Sequence, residues 1–517
     1  MSQQSASTGS ATFPWSKSNL PKKLFINNEY VEAKNPKKLE VYNPKDVSLL
    51  ANDVALAGEQ DVDAAVAAAE AAFPAWKKTP ATKKRELLLK LADLIDEHRL
   101  QLAELSRLSL GAPSSSVGVI ETTEAVGAFR YFAGWCDKFA GESYPQDDGF
   151  LKIVQNEPLG VTAGIIPWNA PLAIAAFKSA PALATGNCFI LKPSEKTPFS
   201  ALALGSLIKE AGFPPGVFQV IPGDGSTGAL LANHMRVRKI SFTGSTGTGR
   251  RIQAAAAKSN LKRVTLELGG KSPAVVFDDA NLENAVSWCV NAITMNSGQV
   301  CFAASRVYVQ EGIYDKFVEK YKQAMEERAK AIGDPDTAET LMGPIVDKAQ
   351  FDRVSGFLER GRNQGTLLTG GSRVGDQVSI NGRFEVYGAL TSRLLQGFFI
   401  EPTVFTDVPE DAEICKNEIF GPVAILNKFK TEEEIIAKAN DTNYGLMAGV
   451  FTQDINRAMR ISSEIDSGMI GINCVSVSFI VAPFGGTKES GTGRENAIHV
   501  LRTYTEPKTI MVNLTYN

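Results

Sequence analysis

Apolar residues recur along the chain with two alternating periods. Within residues 82–110, Leu87, Leu88, Leu91, Leu94 and Ile95 fall at helical spacing, and Gly111 and Pro113 close the segment, which predicts one helix. Residues 59–76 and 121–139 also read as helices, and residues 23–31 as a short strand with an Asn27-Asn28 turn. From residue 160 the pattern changes. Short apolar runs at 160–167, 188–191, 217–221 and 239–242 alternate with helical stretches at 171–183, 199–211, 227–233 and 248–257. Strands alternating with helices of this length predict right-handed βαβ units and a parallel sheet. Ligands of such sheets bind at the carboxyl ends of the strands. The polar motifs Trp168-Asn169, Lys192-Pro-Ser-Glu195, Gly223-Asp-Gly225 and Thr243-Gly-Ser-Thr-Gly-Thr-Gly249 all follow a strand.

A second series begins with the apolar run 273–277. A helical pattern at 280–297, a strand at 306–309 and a helix at 313–332 come next. Helices at 432–439 and 455–465 then flank a strand at 446–451, with another strand pattern at 468–473. Two α/β domains are therefore expected, which suits a chain of 517 residues. The final run, 505–513, alternates apolar and polar residues and would be an exposed edge strand in a monomer.

Composition narrows the function classes. Hydrophobic content of 44% and charged content of 21% are those of an ordinary globular enzyme. A net charge of −3 offers no electrostatic case for nucleic acid or an anionic membrane. No run approaches the roughly 18 apolar residues of a membrane span. Residues 1–20 are Ser/Thr/Gln-rich, without an apolar core or an arginine, and read as a disordered tail rather than a leader peptide. The C-terminal Leu-Thr-Tyr-Asn is no peroxisomal address, so the cytosol is the expected compartment. The six cysteines, at 136, 188, 289, 301, 415 and 474, contain no CxxC pair, which argues against a disulfide framework or a zinc cluster. Only His98, His234 and His499 could serve a Cys-His or Ser-His hydrolase, and none is paired at metal-ligand spacing. His98 falls on the apolar stripe of its helix.

One stretch concentrates candidate chemistry. Cys301 sits where the 280–297 helical pattern gives way to the strand at 306–309, flanked by Gly298 and small residues. A thiol on such a connection can be reached by substrate, although a single cysteine is more often a buried small hydrophobe. The turn Gly244-Ser-Thr-Gly-Thr-Gly249, with a helix N-terminus behind it, can hold an anion by backbone N–H groups and helix dipole. Alone it is weak evidence, and it is not the usual GxGxxG pattern.

Glu267-Leu-Gly-Gly-Lys-Ser-Pro273 and Gly298-Gln-Val-Cys301, taken with the motifs above, resemble the aldehyde dehydrogenase superfamily from about residue 23 to the C-terminus. The resemblance implies a Rossmann-like cofactor domain, a second α/β catalytic domain and a β-arm for oligomerisation. It implies oxidation of an aldehyde to a carboxylic acid with NAD(P)+. Cys301 matches the family nucleophile, which as thiolate adds to the carbonyl and gives a thiohemiacetal oxyanion. Asn169 matches the residue that stabilises that oxyanion together with the Cys301 backbone N–H. Glu267 matches the base that activates water against the later thioester. Lys178 and Glu495 match a proton path, with a structural salt bridge as the equal alternative. For the cofactor, Lys192 and Glu195 match adenosine-ribose contacts, and Gly225 a position packed against adenine. Gly244, Ser245 and Gly249 match diphosphate contacts, and Glu418 and Phe420 nicotinamide-side contacts. Ile165, Pro167, Trp168, Ser194, Phe242, Thr243, Leu268 and Gly269 complete the implied cofactor set.

Departures from the pattern also carry expectations. Ala170 and Ser478 stand where many members carry an aromatic, so the aldehyde funnel should be wider, with Phe177, Val300, Phe302 and Phe484 left to line it. Residues 372–397 are longer than usual and read as an inserted surface loop without an assigned role. The implied domains are 21–136 with 158–266 for cofactor, 267–477 for catalysis, and 137–157 with 478–517 as arm and closing segment. A homodimer or homotetramer is expected, with NAD preferred over NADP and no metal. Two rival readings remain. An acyl-transferring relative would release the thioester to coenzyme A or phosphate, but such relatives generally lack the base that Glu267 matches. A non-catalytic binding protein sits poorly with Cys301, Asn169 and Glu267 occurring together.

Overall fold

A computed structural model describes residues 13–114, 117–374, 378–380, 383–385 and 396–515. Two mostly parallel sheets organise them. The larger has eight strands. Its centre is the parallel set Phe218–Val220, Cys188–Lys192, Val161–Ile165, Lys239–Thr243 and Arg263–Glu267. The hairpin Leu24–Ile26 and Glu29–Val31 adds antiparallel at one edge, and the short Gly491–Thr492 at the other. The hairpin turns on Asn27 and Asn28, both left-handed at φ 56° and 62°. Asparagine tolerates that conformation, and a two-residue hairpin turn of this kind demands it.

The second sheet has seven strands, six of them parallel: Thr403–Thr406, Val423–Phe429, Arg306–Gln310, Pro273–Val276, Met447–Phe451 and Met469–Ile472. The two sheets have separate buried cores. Outside both lies a three-stranded arm in which Thr505–Asn513 pairs along its whole length with Phe150–Pro158, which pairs in turn with Glu142–Tyr144. In this chain Thr505–Asn513 is an edge strand, with Met511 and Val512 exposed.

Three expected helices change shape. The segment 82–110 is two helices, Ala81–Glu97 and Arg99–Leu110, broken at His98. The apolar stripe runs on through Leu102 and Leu105 across the break, so periodicity alone does not show it. His98 is buried there, its ring stacked on Phe13 at 4.8 Å. The helix expected at 121–139 runs Val117–Ala133 and gives way to turns at Gly134. The helix expected at 280–297 is Leu282–Thr294, started by the Asn281 side chain accepting the Asn284 N–H at 3.1 Å. Strand Arg263–Glu267, the hairpin Lys38–Tyr42 with Leu49–Ala55, strand Phe150–Pro158 and helix Lys348–Gly361 have no counterpart among the expected elements. Most of the expected insertion 372–397, and residues 1–12 of the expected tail, lie outside the described residues. Among the described residues no helix is long and apolar enough to cross a membrane.

Candidate active site

The helix before Cys301 stops at Thr294 because the next turn is left-handed. Asn296, Ser297 and Gly298 have φ of 48°, 53° and 72°. Two non-glycine residues in that region are strained, and surrounding bonds hold them there. Ser297 Oγ donates to the Gly343 carbonyl at 2.7 Å, and the fully buried Gln299 bridges to the 344–346 segment by accepting the Val346 N–H at 2.9 Å. Gly298 is obligatory, since a Cβ there would lie 2.2 Å from the Gly421 carbonyl oxygen.

This loop meets Asn169, which follows strand Val161–Ile165 of the other sheet. Asn169 Nδ2 donates to the Gln299 carbonyl at 3.0 Å, and Asn296 Nδ2 donates to the Asn169 carbonyl at 3.2 Å. The amide has a second N–H, free to donate to a substrate oxygen. Cys301 and Asn169 line one cavity of about 260 Å³, together with Ala170, Phe177, Val300, Phe302, Ser478 and Phe484. The whole set expected for the aldehyde funnel thus surrounds one space, with the Phe302 and Phe484 rings 5.6 Å apart.

Glu267 ends strand Arg263–Glu267, and its carboxyl is buried with neither oxygen hydrogen-bonded among the described residues. A Cβ on Gly485, next to the cavity-lining Phe484, would lie 2.7 Å from Glu267 Oε1. Burial pushes this carboxyl well above its ordinary value, the nearby Glu495 raises it further, and Lys178 and Arg494 pull it back. The Cys301 thiol is pushed up by burial first and then by the Glu418 and Glu267 carboxylates. Lys178 is ion-paired to Glu495, and Lys178 Nζ also donates to Ser241 Oγ at 3.0 Å. Ser241 Oγ donates to Glu495 Oε1 at 3.1 Å, and Glu495 reaches the cavity wall. That geometry suits either a proton path or a buried ion pair.

Gly269 and Gly270 explain the double glycine after Glu267. A Cβ on Gly270 would lie 2.4 Å from the Cys301 carbonyl oxygen, and one on Gly269 2.3 Å from Glu418 Oε2. Glu418 Oε1 accepts the Gly270 N–H at 3.0 Å, and burial raises its pKa to about 7. Leu268 fills the space a side chain at Gly249 would take, at 2.8 Å. Phe420 sets its ring edge-on to Trp168 at 5.2 Å. None of Gly249, Leu268, Gly269, Glu418 and Phe420 lines the larger cleft described next, and Glu418 and Phe420 border a small space beside the thiol loop with Gly270 and Val300.

That cleft, of about 580 Å³, opens at the carboxyl ends of the strands ending at Ile165, Lys192 and Thr243. Ile165, Pro167, Trp168, Lys192, Ser194, Glu195, Gly225, Phe242, Thr243, Gly244 and Ser245 line it, and Thr243 lines the thiol cavity as well. Ser245 caps helix Thr246–Lys258, so the helix N-terminus faces the cleft. Lys192 is buried, 3.7 Å from the Glu195 carboxylate. A dinucleotide fits these features. Gly225 lines the cleft, yet a Cβ there would meet no protein atom within 4 Å, so the room it leaves serves something other than packing. Glu121 and Glu124, which line the thiol cavity, are absent from the sequence-derived site. Their only signal in the sequence is that they are the two carboxylates of a mostly apolar helix.

The aldehyde dehydrogenase family model matches residues 30–510. The chain is 43% identical over 497 residues to retinaldehyde dehydrogenase 3 of Mus musculus, covering 95% of this chain and 93% of that protein. It is likewise 43% identical over 499 residues to cytosolic aldehyde dehydrogenase 1 of Mus musculus, covering 95% of each. Among solved structures, the NAD+ complex of an aldehyde dehydrogenase from Bacillus cereus superposes with a TM-score of 0.89 at 41% identity, covering 96% of this chain and 97% of that one.

Proposed function

We propose that Cys301, Asn169 and Glu267 carry the chemistry of this chain, which belongs to the aldehyde dehydrogenase family and oxidises aldehydes to carboxylic acids with NAD(P)+. The observation that carries the assignment is convergence. The Cys301 and Asn169 side chains share one cavity, and Glu267, buried and without a hydrogen bond among the described residues, stands beside its Phe484 wall. The Cys301 thiolate adds to the carbonyl carbon, and the π pair moves to oxygen. Asn169 Nδ2 and the Cys301 backbone N–H donate to that oxyanion. When bound, the dinucleotide supplies the acceptor for the hydride that leaves the same carbon. Glu267 takes a proton from the water that attacks the resulting Cys301 thioester, and the thiolate leaves as the acid forms. With its own pKa raised, Glu267 is also the base available to the Cys301 thiol.

Lys192 and Glu195 are assigned to the adenosine ribose, Gly225 to adenine, and Gly244 and Ser245 to the diphosphate. Glu418 and Phe420 are assigned to the nicotinamide side. The cofactor domain is placed at 21–136 with 158–266, the catalytic domain at 267–477, and the arm with the closing segment at 137–157 and 478–517. The two sheets with separate cores support this division. The edge strand Thr505–Asn513 supports a homodimer or homotetramer joined through the arm. A cytosolic location follows the mouse relative that bears that name.

The test is incubation with aldehyde and NAD, with and without coenzyme A. Reduced nicotinamide and free acid should form equally in both. A requirement for coenzyme A would replace this reading with acyl transfer.

A further inference from the structure

The wall of the thiol cavity is mostly apolar, through Ala173, Ile174, Phe177, Val300, Phe302 and Phe484. Among the described residues three carboxylates line it, Glu121, Glu124 and Glu495, and no Lys or Arg side chain does. Glu495 is neutralised by Lys178. The other two lie on helix Val117–Ala133, three residues apart and therefore on one face. Glu121 Oε2 accepts the Leu172 N–H at 2.7 Å and so holds the start of helix Pro171–Ala184. Its Oε1 is buried with no hydrogen-bond partner among the described residues. Glu124 is half-buried, in no hydrogen bond or ion pair among the described residues. Ile120, one turn back, is 48% exposed, which puts this end of the helix at the mouth of the cavity. Half-buried Glu124 thus sits toward the entrance, with Glu121 buried beneath it.

Resting on the assignment of this cavity to the aldehyde, we propose that Glu124, backed by Glu121, is a specificity residue selecting short aldehydes whose far end bears a cationic amine. An ammonium there meets a carboxylate that has no protein counter-ion, in a partly dry space where such a pair is worth more than in water. A long apolar aldehyde would instead lay its tail across Glu124 and strip water from an unpaired charge, which selects against it. Glu121 acts as a positioning residue. By holding Leu172 it fixes the helix that contributes Ala173, Ile174 and Phe177 to the wall.

The test compares kcat/KM for 3-aminopropanal and for butanal, its neutral near-isostere, at saturating NAD and about pH 8. The unmodified enzyme should favour 3-aminopropanal by at least about tenfold, and added salt should narrow the ratio. Glu124→Gln should lower the ratio at least about tenfold, mainly through KM for the amine. Glu124→Lys should shift preference toward succinic semialdehyde, whose far end is anionic. Retained NAD binding shows that each variant is folded. A ratio at or below one in the unmodified enzyme overturns the proposal, and so does an unchanged ratio in a Glu124→Gln enzyme that still turns over. Reduced nicotinamide formed from butanal by the unmodified enzyme separates this outcome from failure of the aldehyde assignment, in which neither aldehyde reacts.

Discussion

The cleft at the strand ends and the floor under Cys301 are built in different ways. The cleft comes from βα turns of one sheet, each contributing residues at or just after the end of its own strand: Trp168, Lys192 with Ser194 and Glu195, and Gly244 with Ser245. The floor comes from segments far apart in the chain. Gly270 abuts the Cys301 carbonyl, Glu418 accepts the Gly270 N–H, and Gln299 bridges to Val346. The cleft tolerates change wherever its side chains face open space. The floor is close-packed backbone around strained residues and should tolerate almost none.

The sharpest test of that contrast is the thiol at the centre of the floor. Cys301→Ala should reduce turnover to below a few per cent, and removal of a covalent nucleophile can cost about 10⁶-fold. NAD binding, followed by fluorescence titration, should persist, because the cleft is assembled without the thiol. No other cysteine lines the cavity among the described residues, so none stands where it could take over. Residual activity above a few per cent would remove Cys301 from its assigned role.

Glu267→Gln should cost roughly 100- to 10,000-fold in the steady state, the range for one general base. A burst of reduced nicotinamide should precede the slow phase if Glu267 serves only thioester hydrolysis. Loss of the burst would show that Glu267 also takes the Cys301 proton, a role its raised pKa permits.

A pair of glycine substitutions compares the two regions directly. Gly270→Ala forces a Cβ to 2.4 Å from the Cys301 carbonyl oxygen, while Gly225→Ala puts one in open space. The first should lower kcat by about 10- to 100-fold, since displacements near 1 Å can cost about 100-fold. It should also lower Tm. The second should leave Tm within a degree or so and raise KM for NAD alone. Equal losses of Tm would show that the cleft is as tightly packed as the floor.

The same contrast accounts for what could be read in advance. Strand–helix alternation revealed the parallel sheets, because period and connection length are local properties. The cleft residues followed, since ligands of such sheets meet the strand ends. The His98 break escaped because the apolar stripe runs straight through it. The end of the 282–294 helix escaped because left-handed Asn296 and Ser297 are held by Gly343, Gln299 and Asn169, contacts invisible to a local pattern. Strand Arg263–Glu267 was hidden by its charged ends and identified only by its pairing with Lys239–Thr243. Glu121 and Glu124 gained meaning only once their helix was seen against the cavity.

The smallest effect concerns cofactor choice, which rests on one partly exposed carboxylate of the cleft. Glu195 is 42% exposed, yet Lys192 lies 3.7 Å away and Ser194 Oγ donates to it at 3.4 Å, so its carboxylate is held over the cleft. The 2′-phosphate of NADP would bring up to about two negative charges beside it. Two unit charges about 4 Å apart repel by about 4 kcal/mol at an effective dielectric near 20, and solvent and Lys192 reduce that. A residual of about 1.4 kcal/mol is already tenfold. Two of the three cations that line the cleft among the described residues are already engaged by carboxylates. Lys192 is shared between Glu195 and Asp224, and Lys196 is bound to Asp347 at 2.6 Å, which leaves Arg251. NAD should therefore exceed NADP by at least about tenfold in kcat/KM. Glu195→Ser should narrow the gap mainly by improving NADP, because a serine hydroxyl brings no charge to the phosphate while Lys192 and Arg251 remain. Equal efficiency of the unmodified enzyme with both cofactors would show that this carboxylate does not set the choice.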